Sequence, residues 1–446
     1  MPRTVRGNPT VVAVSAALGL AITAALAVNG SADGAVTGTG PLEPPLGACT
    51  GPSCPGSYPP PNNGDFTGRD ASINVFVGGD YDVRGRAAEV EGKVVTLGHL
   101  DVAKAMGGGA FNMAVVGVGS RVPPPDGSDF VVTGGRVTVA PADHVLVGGS
   151  DLFGTAYGDF VHGGPLTGRV EVAAPGRIRH EPDAAEPYRH LRRVIEERSH
   201  CVGEAQATGT VTVTSSEATF AGDGSSMVQV FDVPGDLGSV GHQIGLVFTG
   251  VPAGATVLVN LRSEHPVIST YTGTGLSGDQ LTELRPKLMW NFPTASTATI
   301  TGGAQFQGSV LAGNPAGLTT LSSPGMNGRV YLAGGLLQEG SGGYELHAYD
   351  FTGELPICTT VEPTGSATPT PTPSHSATPG PTHSTTPEPS HSGSHHPQPS
   401  ASESSGGQLA NTGTDSAGLD VALPVAVLLT GLGGLLWRGR RRGTHS

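Results

Sequence analysis

Short β-rich runs punctuated by glycines, most often as pairs, fill the stretch from Ile73 to Gly176, and they limit what this chain can become. They read INVFVGGDYDVRG from Ile73, VEGKVVTLGHL from Val90, FNMAVVGVGS from Phe111, FVVTGGRVTVA from Phe130, HVLVGGS from His144 and LTGRVEVAAPG from Leu166. Apolar and polar residues alternate within the runs, as in half-buried strands, and the glycines between them permit sharp turns. With 70 glycines and 37 prolines in 446 residues and only 5% aromatics, a core of aromatic-rich helices is excluded and an all-β fold is favoured. Spacings of roughly fifteen to twenty residues fit successive rungs of a β-solenoid, and fit a β-sandwich with long loops equally well. One stretch breaks the pattern. In EPYRHLRRVIEERSHC, Tyr188, Leu191, Val194 and Ile195 fall at helical spacing, and Pro187 suits a first turn. This predicts a single amphipathic helix that caps the solenoid or packs along its side, shielding a strand edge, with partner binding as the alternative. Strands resume in GTVTVTSSEATF and continue to TATITGGAQFQGSVLAG.

The two ends carry different signals. Residues 1–32 read as a secretory signal: Arg3 and Arg6 precede the apolar run Val11 to Val28, and Ala25-Leu26-Ala27 or Gly30-Ser31-Ala32 offers a cleavage site. An uncleaved membrane anchor is the competing reading. Residues 33–64 are rich in proline and glycine and read as a linker; Leu46-Gly47-Ala48-Cys49 within them imitates a lipoprotein box too far from the apolar run. Export gives the four cysteines an oxidising setting, in which three pairings are possible. Spacing favours Cys49 with Cys54 and Cys201 with Cys358, and no paired C-x-x-C motif points to zinc. Residues 359–408 hold almost nothing apolar and a proline every few positions, the composition of an extended disordered stalk. Its five histidines read as part of a solvated spacer rather than as metal ligands.

Residues 409–446 explain the arrangement. Leu409, Ala410, Asn411, Thr412 and Gly413 are followed by the apolar run Val421 to Trp437 and then by Arg438, Arg440, Arg441 and Arg442. Seventeen residues at about 1.5 Å each span most of a bilayer core of about 30 Å as a transmembrane helix, and the arginines would stay cytoplasmic. In this order the pieces resemble the cell-wall sorting signal of Gram-positive surface proteins. Ala410 stands where the usual motif has proline, which resembles the form attributed to class E sortases. The resemblance implies cleavage between Thr412 and Gly413 through a thioacyl intermediate, with peptidoglycan as the covalent partner. The chain is then a substrate of that sortase. A formal charge of −13 leaves no basic stripe for nucleic acid.

The region between, 65–358, is the displayed domain. Its blocks MWNFPTASTATITGGAQFQGSVLAGNPAGL and GMNGRVYLAGGLLQEGSGGYELHAYDFTGELP, with INVFVGGDYD near Ile73, resemble the choice-of-anchor A family. That resemblance implies a right-handed β-helical adhesive domain of bacterial surface proteins, binding an extracellular glycan or protein of unknown identity. The signature positions are Trp290, Asn291, Phe292, Pro293, Glu345 and His347. Trp290 and Phe292 share a strand face and read as core; Asn291 reads as a satisfier of backbone groups inside the solenoid. Glu345 and His347 share a face and read as a structural hydrogen bond, since no nucleophile or third ligand accompanies them. Asp80 and Asp82 lack a calcium loop, so neither metal nor cofactor is assigned. The chain reads as an adhesin or structural display protein and not as an enzyme. The alternatives are a polysaccharide-active β-helix enzyme and an ice-binding protein, the latter from alternating threonines such as Thr297, Thr299 and Thr301, or Thr210, Thr212 and Thr214.

Overall fold

The computed structural model describes residues 36–105 and 108–358. Three large parallel sheets of ten, eight and seven strands account for most of the strands, and the chain visits them in rotation. Ile73–Val77 enters the ten-stranded sheet, Tyr81–Val83 the eight-stranded and Glu89–Glu91 the seven-stranded. Lys93–Thr96, Leu100–Val102 and Gly109–Ala114 then repeat the circuit, each pairing in parallel with the strand before it in the same sheet. The protein is therefore mainly β with a β-helix-like stack of parallel strands. The rung spacing is looser than the sequence implied in the first half, and it settles to 21 residues between Leu288, Ser309 and Val330.

The glycine pairs form the corner between the ten- and eight-stranded sheets. Gly79 donates to Gly334 O, Gly98 to Gly79 O, Gly135 to Gly98 O and Gly164 to Gly135 O, all at 2.7–2.9 Å, so one corner sits directly on the next. A Cβ on Gly98 would lie 2.5 Å from Gly79 O, and one on Gly135 2.6 Å from Gly98 O. No side chain fits there, which is why these stacked rungs close on glycine.

The order of coils is not the order of the sequence. Winding begins in the middle of the stack at Ile73–Val77 and runs outward to Ile178–His180. It restarts near the opposite end at Val228–Val233 and returns inward until Val330–Leu332 pairs with the starting strand. First and last coils are thus neighbours in all three sheets.

Helix α1, Arg189–Glu204, makes the return journey. Leu191, Ile195, Ser199 and Val202 are buried on one face, while Arg192–Glu196 and Arg193–Glu197 pair at i, i+4 on the other. The helix runs from beside Lys93, whose Nζ donates to Tyr188 Oη at 2.9 Å, to Asn260, whose Nδ2 donates to Val202 O at 3.0 Å. Sixteen residues rise about 24 Å, and the strands holding Lys93 and Asn260 are five steps apart at about 4.8 Å each, also about 24 Å. The helix is as long as the sheet face it crosses. It flanks that face and leaves the strand edges alone, contrary to the edge-shielding expectation. A second, five-residue helix that the sequence reading missed, α2 (Gln280–Leu284), is capped by Asp279, whose carboxylate accepts from Leu281 N and Thr282 N.

The ten-stranded sheet therefore separates two cores. Val75, Val94, Val131, Trp290, Phe292 and Val330 point into the stack. Phe76, Val95, Val132, Met289, Leu311 and Tyr331 point out, under α1 and an N-terminal strap that includes Leu42 and Leu46. Residues 33–64, read from composition as a linker, are from Val36 onward part of this strap. Val36–Gly40 pairs antiparallel with Leu355–Cys358, and Cys49 is bonded to Cys54. A second disulfide, Cys201–Cys358, ties α1 to the last strand. The signal segment, the stalk, the Leu409–Gly413 motif and the apolar run after it lie outside the described residues. Among the described residues no helix is long and apolar enough to cross a membrane.

Candidate functional site

The outer face of the eight-stranded sheet carries a continuous register ladder. Tyr81, Leu100, Val137, Leu336, Leu321 and Ile300 fill its inner side. One register row on the outer side runs Val267, Thr299, Thr320, Leu337, Asp82, Asp101, Thr138 and Thr167, each paired with the next. At about 4.8 Å per strand the row covers about 34 Å. Its first half is uncharged. In its second half Arg84 bridges Asp82 and Asp101 at 2.8 Å each, offsetting the repulsion of two carboxylates that face each other across the ladder. Thr297 and Thr301 flank Thr299 on the same face, whereas Thr210 and Thr212 lie in a separate three-stranded sheet.

The Trp290–Pro293 motif divides between the two cores. Trp290 and Phe292 point inward, and Trp290 Nε1 donates to Gln307 O at 2.9 Å among Phe220, Phe248 and Phe306. Asn291 points the other way. Its Nδ2 donates to Ser199 O and to Asn260 Oδ1, both at 2.9 Å, and its Oδ1 accepts from Ser199 Oγ at 2.6 Å. It therefore satisfies the backbone of α1 and not the interior of the stack. Pro293 packs where Gly203 brings the helix close.

Glu345 and His347 stand on the outer side of the seven-stranded sheet, bonded at 2.9 Å through Oε2 and Nε2, with His347 Nδ1 at 2.8 Å from Asn327 Oδ1. His347 is buried. Burial disfavours its charged form, but the Glu345 hydrogen bond and the charges of Glu345, Glu91 and Glu89 outweigh that and raise its pKa. Glu91 is committed to the N–H groups of Ser120, Arg121 and Ala348, and Glu89 to Asn112 Nδ2 and Gly117 N. These acids hold loops, which is a structural use of charge. Asp80 likewise accepts from His99 N, and no cluster of three metal-ligating side chains exists among the described residues.

The strap is fastened by a second polar group. Arg329, with 1% exposure, pairs with Asp70 and donates Nε–H to Gly47 O at 3.0 Å, while Tyr58 Oη donates to Asp70 at 3.1 Å. Burial opposes the Asp70 charge, yet Arg329 and the N–H groups of Ser72 and Thr50 hold its carboxyl below the usual range. Between the strap, α2 and the segment 349–352 lies a cavity of about 380 Å³. Thr282, Arg285, Tyr349 and Asp350 line it, and the sequence reading singled out none of them. The one local signal was the aromatic-acid step Tyr349-Asp350 directly after the His347 signature; the opposite wall comes from residues 55–60, at the far end of the chain.

A protein-family model described as "Putative Ice-binding-like adhesive domain" matches residues 67–346. No curated protein and no solved structure matches the chain.

Proposed function

Because the chain belongs to the ice-binding-like adhesive domain family, we propose that it is an adhesin of choice-of-anchor A type, a right-handed β-solenoid exported through residues 1–32. The stalk at 359–408 carries it away from the cell. A class E-type sortase cuts between Thr412 and Gly413 and links the chain to peptidoglycan. The observation that carries the adhesive reading is the register row from Val267 to Thr167, a repeating surface suited to a repeating extracellular polymer or a broad protein face. The role in this reading is binding rather than catalysis, and the bonding of His347 to both Glu345 and Asn327 supports a structural use of that pair.

Arrays of glycans and matrix proteins probed with the protein and with Thr299→Glu/Thr320→Glu test the surface. Binding by the parent alone supports it; equal binding by both moves adhesion elsewhere. Mass spectrometry of wall digests tests anchoring, which requires Thr412 joined to a murein fragment. Release of reducing or unsaturated ends from polysaccharides would instead favour a β-helix enzyme.

Ice binding is a second reading, favoured by the in-register Thr299 and Thr320 and by the family's description. Measurable thermal hysteresis, lost in the same double variant, would establish it.

A further inference from the structure

The two ends of the stack are finished differently. At one end a small three-stranded sheet of Thr210–Val213, Glu217–Ala221 and Gly245–Thr249 packs on the last rung, with the Phe220 and Phe248 rings 5.6 and 6.0 Å from that of Phe231. Side chains seal its edge. Leu246 N donates to Thr272 Oγ1 and Phe248 N to Gln280 Oε1, both at 2.9 Å, and Gln280 Nε2 donates back to Phe248 O at 2.6 Å. At the other end Leu166–Thr167, Val170–Val172 and Ile178–His180 are the edge strands of the three large sheets, and among the described residues no strand pairs with their outer sides. Leu166 and Val170 are only half-buried there and Ile178 is 43% exposed, whereas their register partners one rung below, Val137, Val145 and Phe160, are fully buried.

The strand Ile178–His180 has a defined polarity. Phe160 N donates to Arg177 O and Glu181 N to His162 O, so the alternation of the ladder turns the backbone of Arg177, Arg179 and Glu181 into the sheet and that of Ile178 and His180 outward. Such an edge is a template for another strand. Its side chains say which one. Run antiparallel about Arg179, the segment from Arg177 to Glu181 is complementary to itself: Ile178 faces His180 of a second copy, where their outward N–H and C=O groups meet, and Arg177 faces Glu181. The neighbouring registers fail. Centring on Ile178 sets Arg177 against Arg179, and centring on His180 sets Ile178 against Pro182, which has no N–H. Arg179, on the axis, is bridged to Asp129, Asp159 and Glu181, so two copies do not meet there as bare cations. We propose that a second copy of this chain docks on this end, Ile178–His180 pairing with itself across a two-fold axis so that the half-buried apolar layer of each tip covers the other's. One rung in section buries about 1,000 Å² in the pair, the lower limit for a specific interface, which gives a Kd on the order of 10–100 µM. The contact is independent of the register row.

Sedimentation equilibrium of the whole protein tests it, in mild detergent so that the apolar run Val421 to Trp437 stays dispersed. Over about 1 to 500 µM a monomer–dimer equilibrium is expected. Arg177→Glu and Glu181→Arg each set like charges across the axis and should weaken the dimer about tenfold; Arg177→Glu/Glu181→Arg should return to within about threefold of the parent. His180→Pro removes only an outward N–H, which an edge strand tolerates, so the dimer should be lost while the thermal midpoint holds. Arg179→Cys should yield a disulfide-linked dimer on air oxidation, because facing residues of this kind lie with Cα atoms about 4.5 Å apart. Thr299→Glu/Thr320→Glu should leave the dimer unchanged, so failure here and failure of the adhesive face are distinguishable. A monomer at about 500 µM, a dimer indifferent to Arg177→Glu and His180→Pro, or a charge exchange that restores nothing would overturn the proposal.

Discussion

Replacing Asn291 should loosen α1 from the sheet it crosses. Asn291, Ser199 and Asn260 are fully buried, and Asn291 makes three hydrogen bonds among them at 2.6–2.9 Å. In Asn291→Ala, Asn260 Oδ1 loses its donor, Ser199 Oγ loses its acceptor and Ser199 O keeps only a helical partner. A stranded buried group costs about 1–3 kcal/mol, and the serine hydroxyl can turn toward its own helix, so the expected loss is about 3 kcal/mol. Asn291→Leu fills the volume but strands the same groups, and should lose a similar amount. Urea unfolding followed by the emission of Trp290, the adjacent residue, measures both. A double-mutant cycle with Ser199→Ala should return a coupling of about 1 kcal/mol. If both variants unfold within about 0.5 kcal/mol of the parent, or the coupling vanishes, Asn291 does not hold the helix.

Reducing Cys201–Cys358, which closes a loop of 157 residues, should cost up to about 5 kcal/mol by loop-closure entropy, seen as a lower urea midpoint with reductant. Asp70→Asn leaves the Arg329 charge buried and unpaired and should destabilise by about 3–5 kcal/mol. Because the Asp70 pKa is depressed in the fold, its contribution is present above the unfolded value near pH 4 and is lost as pH falls through the folded value; the gap between parent and variant should therefore narrow in acid. The raised pKa of His347 has the opposite sign. Its contribution is full below about pH 6.5 and fades as pH rises through the folded value, and Glu345→Gln should lower that value in an NMR titration of the ring.

Much of the β framework was legible because its signals are local. Alternation placed Trp290 and Phe292 on one face, and helical spacing identified Leu191 and Ile195 as the buried side of α1. The glycine pairs announced turns, but nothing local shows that Gly79, Gly98, Gly135 and Gly164 stack into one corner. Asn291 was legible as polar and buried without its direction, since Ser199 and Asn260 are remote in the chain. Composition misled at 33–64, because proline and glycine describe a packed strap as well as a free tether; Leu42 and Leu46 were the residues that told them apart. The cavity was invisible for the same reason, three distant segments being needed to enclose it.

The pairing of first coil with last has a mechanical consequence. The chain enters its first coil and leaves its last at the waist of the stack, side by side. Cys358, however, is bonded to Cys201 at the end of α1 beside Asn260, one strand in from the edge of the ten-stranded sheet, so a pull on the segment after Cys358 enters near that end of the stack. The bond from Cys358 to Cys201 passes that load into α1 and so onto several strands at once, which resists peeling of the final strand.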